Sequence, residues 1–453
     1  MTGIPLIIAF VVAIAAMILL ISKLKIHPFL AIMGISLVLA IVAGIPLTDI
    51  PGVIGAGFSG TFSSIGIVII LGAFIGTVLE KTGAALKLAD MVIKLVGEKN
   101  PGLAIQLMGW VVSIPVFCDS GFDILNPIRK ALVKRTGVSS VMMTVCLSCG
   151  LYISHVFIPP TPGPIAAAST LGVGENLLLV IGMGVLCSIL PLIAGLIYAK
   201  IIGKKIKSAD ELAESDEVVK TYDELKAEFG KLPNGFNAVA PLIVPIILMA
   251  LSSISSMAGW SGWIAELLTF LGTPIIALGV GTVLAIIQLL TAGKKSEFYT
   301  LTNESLKTVG PIQFVTAAGG VLGKVIASSD KVNFITEHAT VLEAMGIFFP
   351  FLLAAILKSA QGSSTVAITT TAGIVAPLLG VLGFESPVKI ALVVMAIGAG
   401  AMTVSHANDS YFWVVTNFGD MKPEQGYRTQ TLMTLVIGIA AIPITSVIRV
   451  CVR

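Results

Sequence analysis

Charge is what this sequence has least of. Asp, Glu, Lys and Arg make up 12% of its 453 residues, against 56% hydrophobic, about half the charged share of a soluble domain. A water-exposed globular surface cannot be built from that composition, and the mean hydropathy is +0.99. The net charge of +3 carries no nucleic-acid signature. The basic residues instead stand in short clusters between apolar runs, the ordinary topology bias of membrane chains. Cysteine is sparse, with five residues scattered through apolar segments. Cys146 and Cys149 have C-x-x-C spacing but no second ligand pair, so they read as small helix-packing residues and not as a metal or redox site. The sequence has no H-E-x-x-H, no G-x-S-x-G and no P-loop, which argues against a membrane-embedded hydrolase and against ATP-driven transport by this chain alone. Nothing resembles the filter loop of a channel. No cofactor, metal or nucleic acid is expected.

What is present is a series of apolar runs, including residues 4–22, 28–44, 65–79, 177–202, 239–251 and 431–447. The longer ones match a hydrocarbon core of about 30 Å. The first run has no basic lead and no small-residue cleavage site, so it reads as a retained span and not a signal peptide. Lys23 and Lys25, the stretch with Lys87, Lys94 and Lys99, and the cluster Arg129, Lys130, Lys134 and Arg135 place successive loops on the cytoplasmic side. Basic residues on both sides of residues 101–134 make that segment a re-entrant hairpin. The only long hydrophilic stretch, 203–237, reads as a cytoplasmic linker. The second half lacks lysine and arginine where the first half has four, which is what opposite orientation predicts. The expectation is an all-α polytopic membrane protein with two inverted repeats, ten crossings and two hairpins. Residues 1–202 form the first repeat, with a hairpin at 101–134 and a broken helix at 138–171. Residues 238–453 form the second, with a hairpin at 341–384 and a broken helix at 386–418.

Each repeat carries polar residues where lipid-embedded chain should have none. Cys118-Asp119-Ser120-Gly121 and Ser363-Ser364-Thr365 interrupt the hairpins. Ser154-His155 with Pro159-Pro160-Thr161-Pro162-Gly163-Pro164, and Ser405-His406-Ala407-Asn408-Asp409-Ser410, interrupt the broken helices. Irregular backbone at membrane depth is tolerated only where it is buried in protein or lines a cavity, and paired breaks mark a transporter site. Ser120 precedes Ser363 by 243 positions (363 − 120) and His155 precedes His406 by 251 (406 − 155), so these are taken as repeat equivalents. Free N–H groups and helix dipoles at the tips suit an anion without a lysine, and few basic residues are read near the breaks. Ser120, Thr161, Ser363, Ser364 and Thr365 supply hydroxyls and Asn126 and Asn408 amides; Gly121, Gly163 and Gly362 allow close backbone approach, and Pro162 is placed against substrate with them. Asp119, Asp409, His155 and His406 suit a coupling cation or proton, with Asp119 and His406 also placed against substrate.

The runs Phe117-Cys118-Asp119-Ser120-Gly121-Phe122, Pro159-Pro160-Thr161-Pro162-Gly163-Pro164 and Ser405-His406-Ala407-Asn408-Asp409-Ser410 resemble the gluconate permease (GntP) family of the ion transporter superfamily, across essentially the whole chain. The resemblance implies import of a small hydroxy-acid monoanion with protons: gluconate, a related sugar acid, glycerate, or D-serine in one branch. It also implies a bacterial inner-membrane location, a homodimer, and an elevator in which hairpins and broken helices move against the outer spans. Gluconate members tend to carry histidine where this chain has Thr161, which brings a shorter acid such as glycerate alongside gluconate. Hydroxybutyrate as cargo and sodium as coupling ion stay open as alternatives.

Overall fold

The computed structural model describes residues 26–97, 100–212, 232–328, 345–380 and 382–451, with scattered positions before 26. Most of the expected first span, the middle of the 203–237 linker and the first residues of the 341–384 hairpin lie outside the described residues. Among the described residues the chain is helical, with no strand. Six helices among the described residues are long and apolar enough to cross a membrane: Ile50–Lys81, Ser140–Thr170, Gly174–Ile202, Gly235–Ser256, Pro274–Thr291 and Lys295–Ile326.

Helix ends follow the local sequence. The first half contains α1 (Pro28–Val42), α2 (Ile50–Lys81), α3 (Ala84–Val96), α4 (Pro101–Val112), α5 (Cys118–Thr136), α6 (Ser140–Phe157), α7 (Pro162–Thr170) and α8 (Leu177–Ile202). The second contains α9 (Gly235–Met257), α10 (Trp263–Gly272), α11 (Pro274–Thr291), α12 (Phe298–Ser328), α13 (Phe348–Gln361), α14 (Ser364–Val375), α15 (Pro387–Met402), α16 (Ser410–Phe418) and α17 (Leu432–Cys451). Proline opens α1, α4, α7, α11 and α15, where its missing N–H has no helical partner to lose. Ser139, Ser363, Ser386 and Asp409 accept N–H bonds as N-caps, the role their short polar side chains favour. The short α10 was not anticipated. Its Trp263, Ile264, Leu267 and Phe270 are exposed, and it packs on α9.

The two halves match in register. Helices α4 and α13 begin 247 positions apart (348 − 101), α5 and α14 begin 246 apart (364 − 118), and α6 and α15 begin 247 apart (387 − 140). This register replaces two equivalences expected from sequence. Ser120 is the third residue of α5, whereas Ser363 is the N-cap of α14. His155 lies inside α6, whereas His406 lies in the loop between α15 and α16. The reason is loop length: residues 158–161 make the first break and 403–409 the longer second one, so a matching dipeptide slips out of structural register.

Two groups of helices result. Antiparallel α2 and α12 pack along their length, with α11 on α2 and α1 on α12. In the other group α4 packs on α6, α13 on α15, and α8 and α17 against each other behind the broken helices. Between the groups, glycines allow backbone to meet backbone. A Cβ on Gly72 would stand 3.0 Å from Pro160 O, and one on Gly76 would stand 2.1 Å from Pro115 O, at the tip of the α4–α5 hairpin. On α12, Gly319 and Gly323 meet Thr369 O and Gly373 O, well inside α14.

Candidate functional site

The four breaks create four helix N-termini. α5 starts behind Phe117, α7 behind Thr161, α14 behind Ser363 and α16 behind Asp409. Each leaves N–H groups without intrahelical partners and the positive end of a helix dipole. Side chains tie the ends together. His155 Nε2 lies 3.4 Å from Thr365 Oγ1, and Ser410 Oγ donates to Asp119 Oδ1 at 3.4 Å. The rings of Tyr152 and Tyr411 stand 5.1 Å apart, joining α6 to α16.

At the centre is an ion pair that the sequence reading did not anticipate. Lys358 Nζ lies 2.7 Å from Asp409 Oδ2. Lys358 is completely buried and Asp409 is 5% exposed. Asp409 also accepts from Ser405 Oγ and from Tyr411 N, so it caps α16 while holding the lysine. The expectation of a site without a nearby lysine is therefore corrected. Lys358 stands five positions before Ser363 in an otherwise apolar arm, and a charge in such a run was a legible signal. Its partner, 51 positions away, was not.

The second hairpin is clasped to the second break. Asn408 Nδ2 donates to Ser359 O at 2.8 Å, and His406 Nε2 lies 3.2 Å from the same oxygen. Ser359 belongs to the last turn of α13, where carbonyls lack helical partners. Gly362, at φ +92°, brings its backbone so close that a Cβ would lie 2.1 Å from Asn408 O. Only glycine meets both demands.

The structure thus brings Asp119, His155, Ser363, Ser364, Thr365, His406, Asn408 and Asp409 to the junction of the breaks. Other expected site residues face elsewhere. Asn126 accepts from Arg129 Nε at 2.7 Å, two turns along α5. Ser120 faces Glu80 of α2. Thr161 Oγ1 donates to Ile158 O at 2.7 Å, so its hydroxyl closes its own break. Gly121 and Gly163 are packing positions, where a Cβ would meet Leu151 at 2.6 Å and Ile368 at 3.0 Å. Pro162 is buried as the first residue of α7.

Three buried groups on the last turns of α6 have no hydrogen-bond partner: Tyr152 Oη, Ser154 Oγ and His155 Nδ1. Buried polar groups are seldom left unpaired, and Tyr152 and His155, one turn apart on α6, line the side of the junction facing Ser364 and Thr365. On the opposite side Asn408, Ser410 and Ser363 are exposed and Asp119 is half-buried. The junction has a dry wall and an open mouth, with donors on both. No cluster of His, Cys, Asp and Glu suited to a metal ion occurs among the described residues.

A family model described as GntP family permease matches residues 4–451. The chain is 34% identical to an uncharacterized permease of Haemophilus influenzae, over 92% of this chain and 86% of that protein. It is 32% identical to the inner membrane permease YgbN of Escherichia coli, over 98% of both. It is 29% identical to a gluconate permease of Zymomonas mobilis, over 96% of this chain and 95% of that one. Among solved structures, the YdaH transporter of Alcanivorax borkumensis superposes with a TM-score of 0.66 at 15% identity, covering 93% of this chain and 97% of that one. MtrF of Neisseria gonorrhoeae gives 0.65 at 16% identity, over 95% and 96%. These two likenesses show a shared fold.

Proposed function

The chain belongs to the GntP permease family, and on that premise we propose that it is a secondary active symporter of the bacterial inner membrane that imports a small hydroxy-carboxylate with protons. The observation that carries this reading is the meeting of the starts of α5, α14 and α16 around the Lys358–Asp409 pair, with the Tyr152 hydroxyl and the His155 imidazole beside them. N–H groups, helix dipoles and a lysine recognise a carboxylate. The Tyr152 hydroxyl, which faces that of Ser364, and His155 Nδ1 match the hydroxyls of a sugar acid or glycerate. Relatives named for gluconate point to the same class.

The matched helix starts support two inverted repeats, with α1, α2, α11 and α12 as scaffold, and the family resemblance supports a homodimer. The glycine contacts support elevator movement. Gly76 and Gly323 are 247 positions apart (323 − 76), so they hold equivalent scaffold places, yet they touch non-equivalent parts of the hairpins. Gly76 meets Pro115 at a tip, while Gly323 meets Gly373, ten residues past Ser363, or about 15 Å of helix. A symmetric midpoint would place both tips alike. The tips lie instead near the Lys81 end of α2. With that end on the cytoplasmic side, the site faces inward, consistent with the exposed Ser410 and Asn408 and the buried Thr161.

Moving one anion against 100 mV of interior-negative potential costs about 2.3 kcal/mol, so accumulation needs a cation. The test is uptake of labelled gluconate and glycerate into proteoliposomes under imposed gradients. Saturable uptake driven by a proton gradient is expected. Uptake that follows sodium at fixed symmetric pH replaces the proton with sodium. Non-saturable flux rejects a carrier.

A further inference from the structure

We infer that Lys358 and Asp409 form an exchangeable pair, in which the substrate carboxylate takes Lys358 from Asp409 and the released Asp409 takes up the coupling proton. The inference rests on the reading of the substrate as a hydroxy-acid anion. It starts from a balance of charge. The two residues face each other at 2.7 Å with no measurable exposure at Lys358, so they enter the buried site as a neutral unit. A monoanion arriving there makes the unit negative, and an uncompensated charge in such surroundings is strongly disfavoured. One proton per anion restores neutrality.

The geometry says which partner moves. The backbone of Lys358 is fixed in the arm of the second hairpin, one position before Ser359, whose carbonyl is held by His406 and Asn408, so it is the long side chain that changes partner. Ser364 and Thr365 follow across the tip, where a carboxylate bound at the α14 N-terminus comes within reach of the ammonium. Asp409 keeps two other donors, Ser405 Oγ and Tyr411 N. It therefore stays in place when the lysine turns away. Protonated, it becomes a donor and still caps α16 through its carbonyl oxygen. Its sequence neighbours Asn408 and Ser410 are exposed, so water reaches within one residue of the carboxyl.

The other groups facing Asp409 do not replace it. Asp119 and Cys118 face it from α5, and Tyr152 and His155 from α6. His406 lies in its own loop and Tyr411 follows in α16. Asp119 is the rival carrier, but it is half-open to water and forms no ion pair with Lys358, so substrate binding takes no countercharge from it. The step balances simply: the Asp409 carboxylate gains one proton from bulk water, Lys358 stays an ammonium, and no other bond changes.

The experiment is proton uptake on binding, measured with a pH indicator in weakly buffered detergent solution, beside calorimetry with gluconate and glycerate as probes. The wild-type protein is expected to take up about one proton per acid bound at neutral pH. Asp409→Asn is expected to bind with no proton uptake and with an affinity that no longer varies with pH, and Asp119→Asn to keep about one proton per acid bound, whatever its affinity. Lys358→Met is expected to lose at least tenfold in affinity, with partial recovery in Lys358→Arg. Wild-type binding without proton uptake overturns the inference and leaves the substrate reading intact. Proton uptake that persists in Asp409→Asn, or vanishes in Asp119→Asn, also overturns it. Failure to bind any hydroxy acid overturns both readings together. The wild-type measurement needs no variant to fold.

Discussion

The carbonyl of Pro115 sits against Gly76, so close that a single methyl group at position 76 would lie 2.1 Å from its oxygen. This contact joins the tip of the first hairpin to the long helix α2, and so joins the two groups of helices at the site. Real Cβ atoms do not approach backbone that closely, so the chain can hold this arrangement only with glycine there.

Gly76→Ala is therefore expected to displace the hairpin from α2 in this state. In an elevator the variant should keep substrate affinity, because position 76 lies outside the junction, while its uptake rate falls about tenfold or more. Gly60→Ala, with open space around its Cβ, serves as the control. Binding by calorimetry and initial rates in proteoliposomes decide the matter; an unchanged Gly76→Ala rate argues against sliding at this contact.

Removing one member of the buried ion pair leaves the other uncompensated. Lys358→Met alone is expected to destabilise the protein by about 3–5 kcal/mol. The combined Lys358→Met and Asp409→Leu variant should recover part of that loss, although it gives up the cap that Asp409 makes to Tyr411 N, worth about 1 kcal/mol. Thermal unfolding in a fixed detergent reads both. A double variant less stable than the single one would show that the pair does not act as a unit.

A second polar cluster fastens the base of the first hairpin. Arg129, fully buried, donates to Ser140 Oγ at 2.6 Å and to Phe418 O at 3.2 Å. Ser140 in turn donates to Asp210 at 2.7 Å, and Glu211 accepts from Ser139 Oγ and Val141 N. The start of the hydrophilic segment thus caps α6 and closes the junction of α5, α6 and α16. Glu211→Ala is expected to lower stability by about 1–2 kcal/mol through the lost cap. Arg129→Lys should lower it by a similar amount, because an ammonium cannot reproduce the guanidinium fork. Unchanged melting in both variants would make the cluster incidental.

Thr161 and Ser364 should behave differently despite both flanking breaks. The Thr161 hydroxyl is committed to Ile158 O, so Thr161→Val should shift apparent affinity less than about threefold. Ser364 stands at the first position of α14, facing the unpaired α6 groups, and Ser364→Ala should weaken binding by about 1–3 kcal/mol. Concentration dependence of uptake is the readout. A larger effect at Thr161 than at Ser364 would move the site toward the first break.

The sequence by itself determined that the chain spans a membrane, because 56% hydrophobic residues in runs of span length have few other stable solutions in water. It also determined where the backbone breaks. Proline at the start of α7, serine before α14 and aspartate before α16 are local signals, read within a turn of the chain. Family membership was legible in the same short motifs.

Tertiary structure decided which polar residues meet at the junction of the breaks. Asn126 and Asp119 share one helix, yet Asn126 turns to Arg129, itself held by Phe418 O, and Asp119 turns to Ser410; Ser410 and Phe418 lie nearly three hundred positions further along the chain. The pairing of Lys358 with Asp409 crosses from a hairpin arm to a loop, and no periodicity encodes it. The equivalence of His155 and His406 failed because a dipeptide match carries no information on loop length. Helix breaks are set by local chemistry, whereas the partner of a buried charge is set by which surfaces meet when the helices pack.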